Sequence, residues 1–312
     1  MPARWIRLGL PALAALLACA AHSGPSAPGS SRSTRLAYRF PPKASRTCAV
    51  DVNGTATLGA GAGAGAEPKE FRTRFVATLE TQAGSSADRP TVMIRLNELL
   101  LKELAGGSTV EETLITPRHF WERKGGLTTR DLRAGTDAKT DQFLAAIAEP
   151  LARLSFDATG RLLDKTIVTG HVLQAQDIDL SESILLFMPV LPARAVGIGD
   201  SWTGERPLAL GALRLPKPLL MTYRLRELRP APEGLVAVLE LQGTLETTSA
   251  TSTRTGKQVE LGSLRYELSG SARFAIAEGR WLDTEMTLAA HGTTKEGARF
   301  MEMSAHGRAT QQ

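Results

Sequence analysis

Ser201, in Gly199-Asp200-Ser201, sits where a serine nucleophile could be presented on a glycine turn. A serine attacks only when a neighbouring base takes its proton. The two downstream histidines, His291 and His306, have no aspartate three residues before them, so no acid–base pair stands ready to activate it. His22, His119 and His171 lie singly. With no His-x-His, His-x-x-x-His or Cys-x-x-Cys spacing, a zinc site would have to be assembled from remote residues. Asp177 and Asp179 supply two carboxylates, too few for the oxygen shell of calcium. Of the two cysteines, Cys19 lies near the N-terminus, and Cys48 has no neighbouring histidine or lysine to activate its thiol. Cys48 therefore reads as a buried structural residue. No catalytic residue, metal or cofactor is expected, and the chain reads as non-enzymatic.

The N-terminal residues carry a different chemistry. Arg4 and Arg7 precede an apolar run from Leu8 to Ala18, too short to span a bilayer and ending in Leu16-Leu17-Ala18-Cys19. This is the layout of an export signal. Leu-x-Ala-Cys resembles the bacterial lipobox, which implies that residues 1–18 are removed and that Cys19 becomes the lipidated first residue. Ordinary cleavage after Ala20 or Ala21 is the alternative. Either way the chain is expected outside the cytoplasm. Residues 19–34, mostly Ala, Ser, Gly and Pro, read as a flexible tether. Ala20 is not the aspartate that marks inner-membrane retention among lipoproteins, so the resemblance implies the outer membrane, with the domain facing the periplasm. If Cys19 is lipidated, Cys48 alone cannot staple the fold.

Within the mature chain, Met188 to Trp202 reads as a signature. Pro189 and Pro192 force the backbone out of helix, Gly199-Asp200 makes a turn, and Trp202 follows to plug the end of a core. Leu191, Pro192, Val196, Gly199, Asp200 and Trp202 match Leu-Pro-x-x-x-Val-x-x-Gly-Asp-x-Trp, a pattern that resembles one in uncharacterised bacterial envelope lipoproteins. That likeness implies location and no activity. Gly199-Asp200-Ser201 is also similar to the nucleophile block of Gly-Asp-Ser hydrolases, but here it lies two-thirds along a β-rich chain and lacks the Asp-x-x-His partner.

The elements that must position these residues are mostly strands. Phe71, Thr73, Phe75, Ala77 and Leu79 alternate with polar residues, as do Leu219, Met221, Tyr223 and Leu225, then Leu235, Ala237, Leu239, Leu241 and Leu245. The longest run is Leu264, Tyr266, Leu268, Gly270, Ala272, Phe274 and Ile276. One wet face on so many strands predicts an antiparallel sheet. Turns are expected at Asn53-Gly54, Glu278-Gly279 and Lys295-Glu296-Gly297, and the Gly-Ala repeat 59–66 reads as a hairpin loop. With Lys295-Glu296 as the last turn, Met286 faces Ala305, Leu288 faces Met303, Ala290 faces Met301 and Thr287 meets Ser304. That register puts His306 opposite Glu285 and His291 beside Phe300. Phe156 to Asp164 and Phe274 to Asp283 echo one another as strand, glycine turn, strand.

Two helices are expected. One runs from Asp137 to about Leu154, with Phe143, Leu144, Ile147 and Leu151 on one stripe and Pro150 bending or ending it. The other is capped by Asp179 with Glu182, turns Ile184, Leu185 and Met188 to the core, and stops at Pro189. The fold class is therefore mainly β: one domain over 35–312, a large curved antiparallel sheet or half-barrel with two helices on one face.

Lysine and arginine total 37 against 32 acids, a near balance without aromatic-interleaved basic clusters, which excludes nucleic acid. A non-enzymatic lipoprotein serving interaction or assembly with another envelope protein fits best. The alternative is a carrier whose cavity, lined by Ile184, Leu185, Met188, Phe274 and Ile276 and closed by Trp202, holds an apolar ligand or lipid.

Overall fold

The period-two alternation becomes one open antiparallel sheet. The computed structural model describes residues 33–58, 68–82, 89–167, 180–206, 208–210, 213–252 and 256–312. The signal segment, Cys19 and the chain to residue 32, the Gly-Ala repeat, and Asp177 and Asp179 lie outside the described residues. In chain order the elements are β1 (Ser45–Leu58), β2 (Lys69–Thr81), β3 (Thr91–Ala105), β4 (Ser108–Ile115), β5 (His119–Lys124), β6 (Leu127–Arg133), α1 (Ala138–Ala148), β7 (Pro150–Phe156), β8 (Leu162–Ile167) and α2 (Leu180–Phe187). They continue with β9 (Ser201–Arg206), β10 (Ala209–Leu210), β11 (Leu213–Arg214), β12 (Leu219–Ala231), β13 (Gly234–Ser252), β14 (Gln258–Ala275), β15 (Arg280–Thr293) and β16 (Arg299–Gln311).

The sheet forks at both ends. Its spine runs β13-β14-β15-β16-β1-β2-β3. At one end, β13 pairs with β12 along its first half and with β11 at its last residues, and β9 pairs outside β12. At the other, β3 pairs with β7 over Thr91–Arg95 and with β4 over Leu99–Ala105. Among the described residues no ladder joins β9 to β8, so the barrel stays half-made.

One row of paired residues shows what the apolar face is built from. Leu225, Leu239, Ala272, Thr284, Ala309, Val50, Phe75, Leu99, Ile115 and Phe120 face one another in turn across ten strands, and all are buried. The large residues sit at the flanks and the small ones in the middle, where α2 lies against β15 and β16. Gly307 continues the pattern: a Cβ there would stand 2.6 Å from the Phe187 ring. The one polar member, Thr284, donates from Oγ1 to the carbonyl of Phe187 at 2.7 Å and accepts from Trp281 Nε1 at 2.8 Å. An orphan carbonyl at the end of α2 is thus satisfied inside the core. At the far flank Phe143 of α1 meets Phe120 edge-on, centroids 5.5 Å apart. Both helices cover the same apolar face.

Several sequence expectations need correction. The first helix ends at Ala148, because Pro150 cannot extend it and instead starts β7, where Leu151 is buried as a strand residue. Its start is as expected: Asp137 accepts from the amides of Lys139 and Thr140. Asn53-Gly54 is no turn but the middle of β1, and Gly54 is there because a Cβ would lie 1.9 Å from the Ser304 carbonyl oxygen. Leu235 is exposed, whereas its neighbour Val236 packs with Ala275 and Leu282 in a small separate cluster.

The last hairpin pairs two residues away from the expected register. Met286 faces Gly307, Leu288 faces Ala305, Ala290 faces Met303 and Thr287 faces His306. The turn spans Thr294 to Ala298 and a register shift follows Gly292, so the loop takes up more chain than a two-residue turn. A shift of two keeps every side chain on its predicted face, and Met301 and Met303 remain buried. His306 bonds diagonally to Glu285 at 3.1 Å, and His291 lies opposite Glu302.

Candidate functional site

Where the two forks approach each other, the signature segment fills the gap. From α2 the chain runs on through Met188 to Pro192, and Val190 and Leu191 are buried. Leu191 donates to the Thr159 carbonyl in the β7–β8 turn at 2.8 Å, which ties the segment to one fork. Trp202, on β9 of the other fork, donates from Nε1 to the Val190 carbonyl at 2.7 Å and stacks on Tyr223 with centroids 6.0 Å apart. Gly204 leaves room for the Val190 side chain, which would stand 2.6 Å from a Cβ there. Val190, Leu191 and Trp202 thus bridge the two forks where no strand pairing does.

Arg206 holds this arrangement from within. Trp202, Gly204 and Arg206 share the inward face of β9, and Arg206 has no exposed surface. Its Nε donates to the Met188 carbonyl at 3.0 Å, Nη2 donates to the same oxygen, and Nη1 donates to the Gly160 carbonyl at 3.1 Å. One planar guanidinium therefore joins β9, the end of α2 and the β7–β8 turn. Its surroundings include two buried phenols. Tyr38 donates to the Pro189 carbonyl at 2.8 Å. Burial pushes the Tyr38 hydroxyl well above the ordinary phenol range and raises Tyr223 as well, with the Arg206 charge opposing both shifts.

A short arm completes the clasp. Thr34 exchanges backbone hydrogen bonds with Val196, Tyr38 N–H donates to the Ala158 carbonyl, and Arg39 N–H donates to the Gly279 carbonyl. The arm thereby crosses the signature and both hairpin turns that echo each other in sequence. Tyr38 also packs edge-on against Phe274, centroids 5.2 Å apart. Lys165 of β8 and Glu182 of α2 form a mostly buried ion pair at 3.0 Å.

Two spaces adjoin the clasp. The inner one holds about 30 Å³ beneath α2 and is lined by Ile184, Met188, Tyr38, Phe156 and Trp281 among others. That is room for a water or two and far short of a lipid chain. The outer one is an open groove of about 660 Å³ along β9, bordered by Arg161, Pro192, Arg194, Trp202 and Glu205. Of the six residues expected to line a carrier cavity, Ile184, Leu185, Met188 and Phe274 are brought together in the main core, with Ile276 and Trp202 half-buried against it. Trp281, not Trp202, borders the inner space. Arg206 and Tyr38 escaped sequence reasoning. Their signal was parity: Arg206 falls on the inward positions that Trp202 sets, and an inward arginine needs acceptors.

Asp200 has a structural task. It accepts from Gly197 N–H at 3.1 Å and from Arg194 at 3.2 Å, which hold its carboxyl below the usual range. Ser201 is exposed at the start of β9. Cys48 is buried, and burial pushes its thiol up to about 12. Among the described residues no helix is long and apolar enough to cross a membrane.

No family model and no curated protein matches the sequence. Solved structures give distant likenesses. The lipovitellin chain described for its lipid–protein interactions aligns at a TM-score of 0.41 and 10% identity over 87% of this chain, which spans about a quarter (25%) of the lipovitellin chain. A Bacteroides fragilis protein described as exported, with a YmcC-like fold, aligns at a TM-score of 0.16 and 6% identity over 88% of this chain and 97% of its own. At these scores neither likeness bears on function.

Proposed function

We propose that this chain is a lipid-anchored bacterial cell-envelope lipoprotein, non-enzymatic, whose β domain is a rigid interaction or assembly module for another envelope protein. The reading places it at the outer membrane, facing the periplasm. The observation that carries the module reading is the filled interior: α2, the signature and the arm occupy the concave face, and Arg206 locks them from inside. The anchor rests on Leu16-Leu17-Ala18-Cys19. A single acyl chain binds membranes marginally, whereas the several chains of a bacterial lipoprotein hold stably. Cys19→Ala should move the protein from the membrane fraction to the soluble fraction of the host envelope. A variant that still sediments with membranes would overturn the anchor.

A second reading is favoured by one feature. The inner space is lined mainly by apolar side chains and lies directly under α2, so lifting α2 would enlarge it into a pocket for an apolar ligand or lipid. On that reading the Arg206 contacts must open before the ligand enters.

A further inference from the structure

The described chain begins at the signature. Because Thr34 and Val196 exchange hydrogen bonds at 2.8 and 2.9 Å, whatever precedes residue 33 leaves the domain beside the Gly197–Asp200 turn. Fourteen residues separate Cys19 from Thr34. Even fully extended they reach at most about 50 Å. On the lipid-anchor reading above, on which this inference rests, the domain is tied to its membrane by this corner.

The corner carries Ile198, 61% exposed, on a turn with little freedom to withdraw it. Gly199 takes a φ of 95° and donates to the Leu225 carbonyl at 2.7 Å, and Leu225 N–H donates back to Asp200 at 3.0 Å. Asp200 bonds the Gly197 amide from the other side of the turn. Arg35 flanks Thr34, and Arg224 is paired in register with Ser201; both are exposed and form no ion pair with a described residue. The acids here are Asp200 and Glu240, which pair with Arg194 and Arg226, and Glu227. Two unpaired guanidiniums beside a protruding apolar side chain match the headgroup–acyl boundary of a bilayer, which takes apolar groups below and cations at its phosphates.

The geometry points to a membrane-facing corner in which Ile198 dips into the bilayer interface and Arg35 and Arg224 meet lipid phosphates. The Thr294–Ala298 turn then points away from the membrane. That turn lies at the opposite end of β15 from the β14–β15 turn to which the arm is bonded. Fourteen strand residues put the two turns about 45 Å apart.

The test uses the full lipidated chain, reconstituted into vesicles of phosphatidylcholine and phosphatidylglycerol in equal parts. An environment-sensitive dye is placed at Ile198→Cys or, as the distal control, at Ala298→Cys. Cys48 is buried and stays unlabelled. The dye at 198 should shift to the blue and be quenched by spin-labelled lipid, while the dye at 298 keeps its emission in water. Arg35→Gln and Arg224→Gln should each lower the docked-to-undocked ratio about fivefold, the equivalent of about 1 kcal/mol per arginine at an anionic surface. Vesicle-bound protein with an aqueous signal at 198, or with quenching at 298 instead, overturns the orientation while leaving the anchor standing. Protein that does not float with the vesicles overturns the anchor and this inference with it.

Discussion

Arg206 ties three elements together through one side chain. Its guanidinium serves two carbonyl oxygens on two separate elements, both in the dry interior. Arg206→Ala would leave those acceptors unsatisfied, at about 1–3 kcal/mol each, besides the space vacated. Urea unfolding should therefore show a loss of roughly 3 kcal/mol or more, with Arg206→Lys recovering part of it. A loss under about 1 kcal/mol would show that the clasp contributes little. Cys48 gives a second measurement. Its thiol is pushed up to about 12 in the fold, whereas an unfolded cysteine ionises near 8.5. Between those values the unfolded chain sheds a proton that the folded chain keeps, so this group's stabilisation is complete below about pH 8.5 and is lost as pH rises through that window. Native protein should resist thiol alkylation at pH 8 and react fully in urea; equal rates in both conditions would contradict its burial.

Strands were legible where apolar and polar residues alternate cleanly; register and the end of the first helix were not. Phe71 to Leu79 and Leu264 to Phe274 could be placed on the inner face from their spacing alone, since the period of two leaves no other choice. Asn53-Gly54 misled because the same dipeptide serves two needs. In a hairpin its glycine supplies positive φ, but in β1 it is the missing side chain that matters, where Ser304 and Ala305 of β16 press close. Gly54→Ala should accordingly destabilise by about 1–3 kcal/mol, as an overpacked strand does, without the gain that alanine brings to an ordinary strand position. A neutral or stabilising Gly54→Ala in thermal unfolding would return the turn reading to contention. The two-residue error in the last hairpin came from assuming the shortest turn at Lys295-Glu296. Nothing in the residues disclosed the register shift after Gly292, and parity survived because the shift was even.

At the level of the whole chain, the curved sheet with two helices on its apolar face followed from amphipathic strands that need a cover. The forks did not, because β3 and β13 each serve two neighbours on one edge and no local pattern marks a shared edge. The signature was legible as a forced turn with a buried tryptophan, but its task depends on the gap between forks. So did the sorting of the six carrier residues: apolar lining and apolar core have the same composition, and only the space left over separates them. That space is about 30 Å³, the quantity on which the module reading turns. Native mass spectrometry of the released Cys19→Ala chain, purified untagged from its host envelope, measures this directly. The account predicts a single mass equal to the polypeptide alone, with no uptake of an added apolar probe. A stoichiometric lipid mass adduct that survives purification would contradict it and leave the carrier reading in its place.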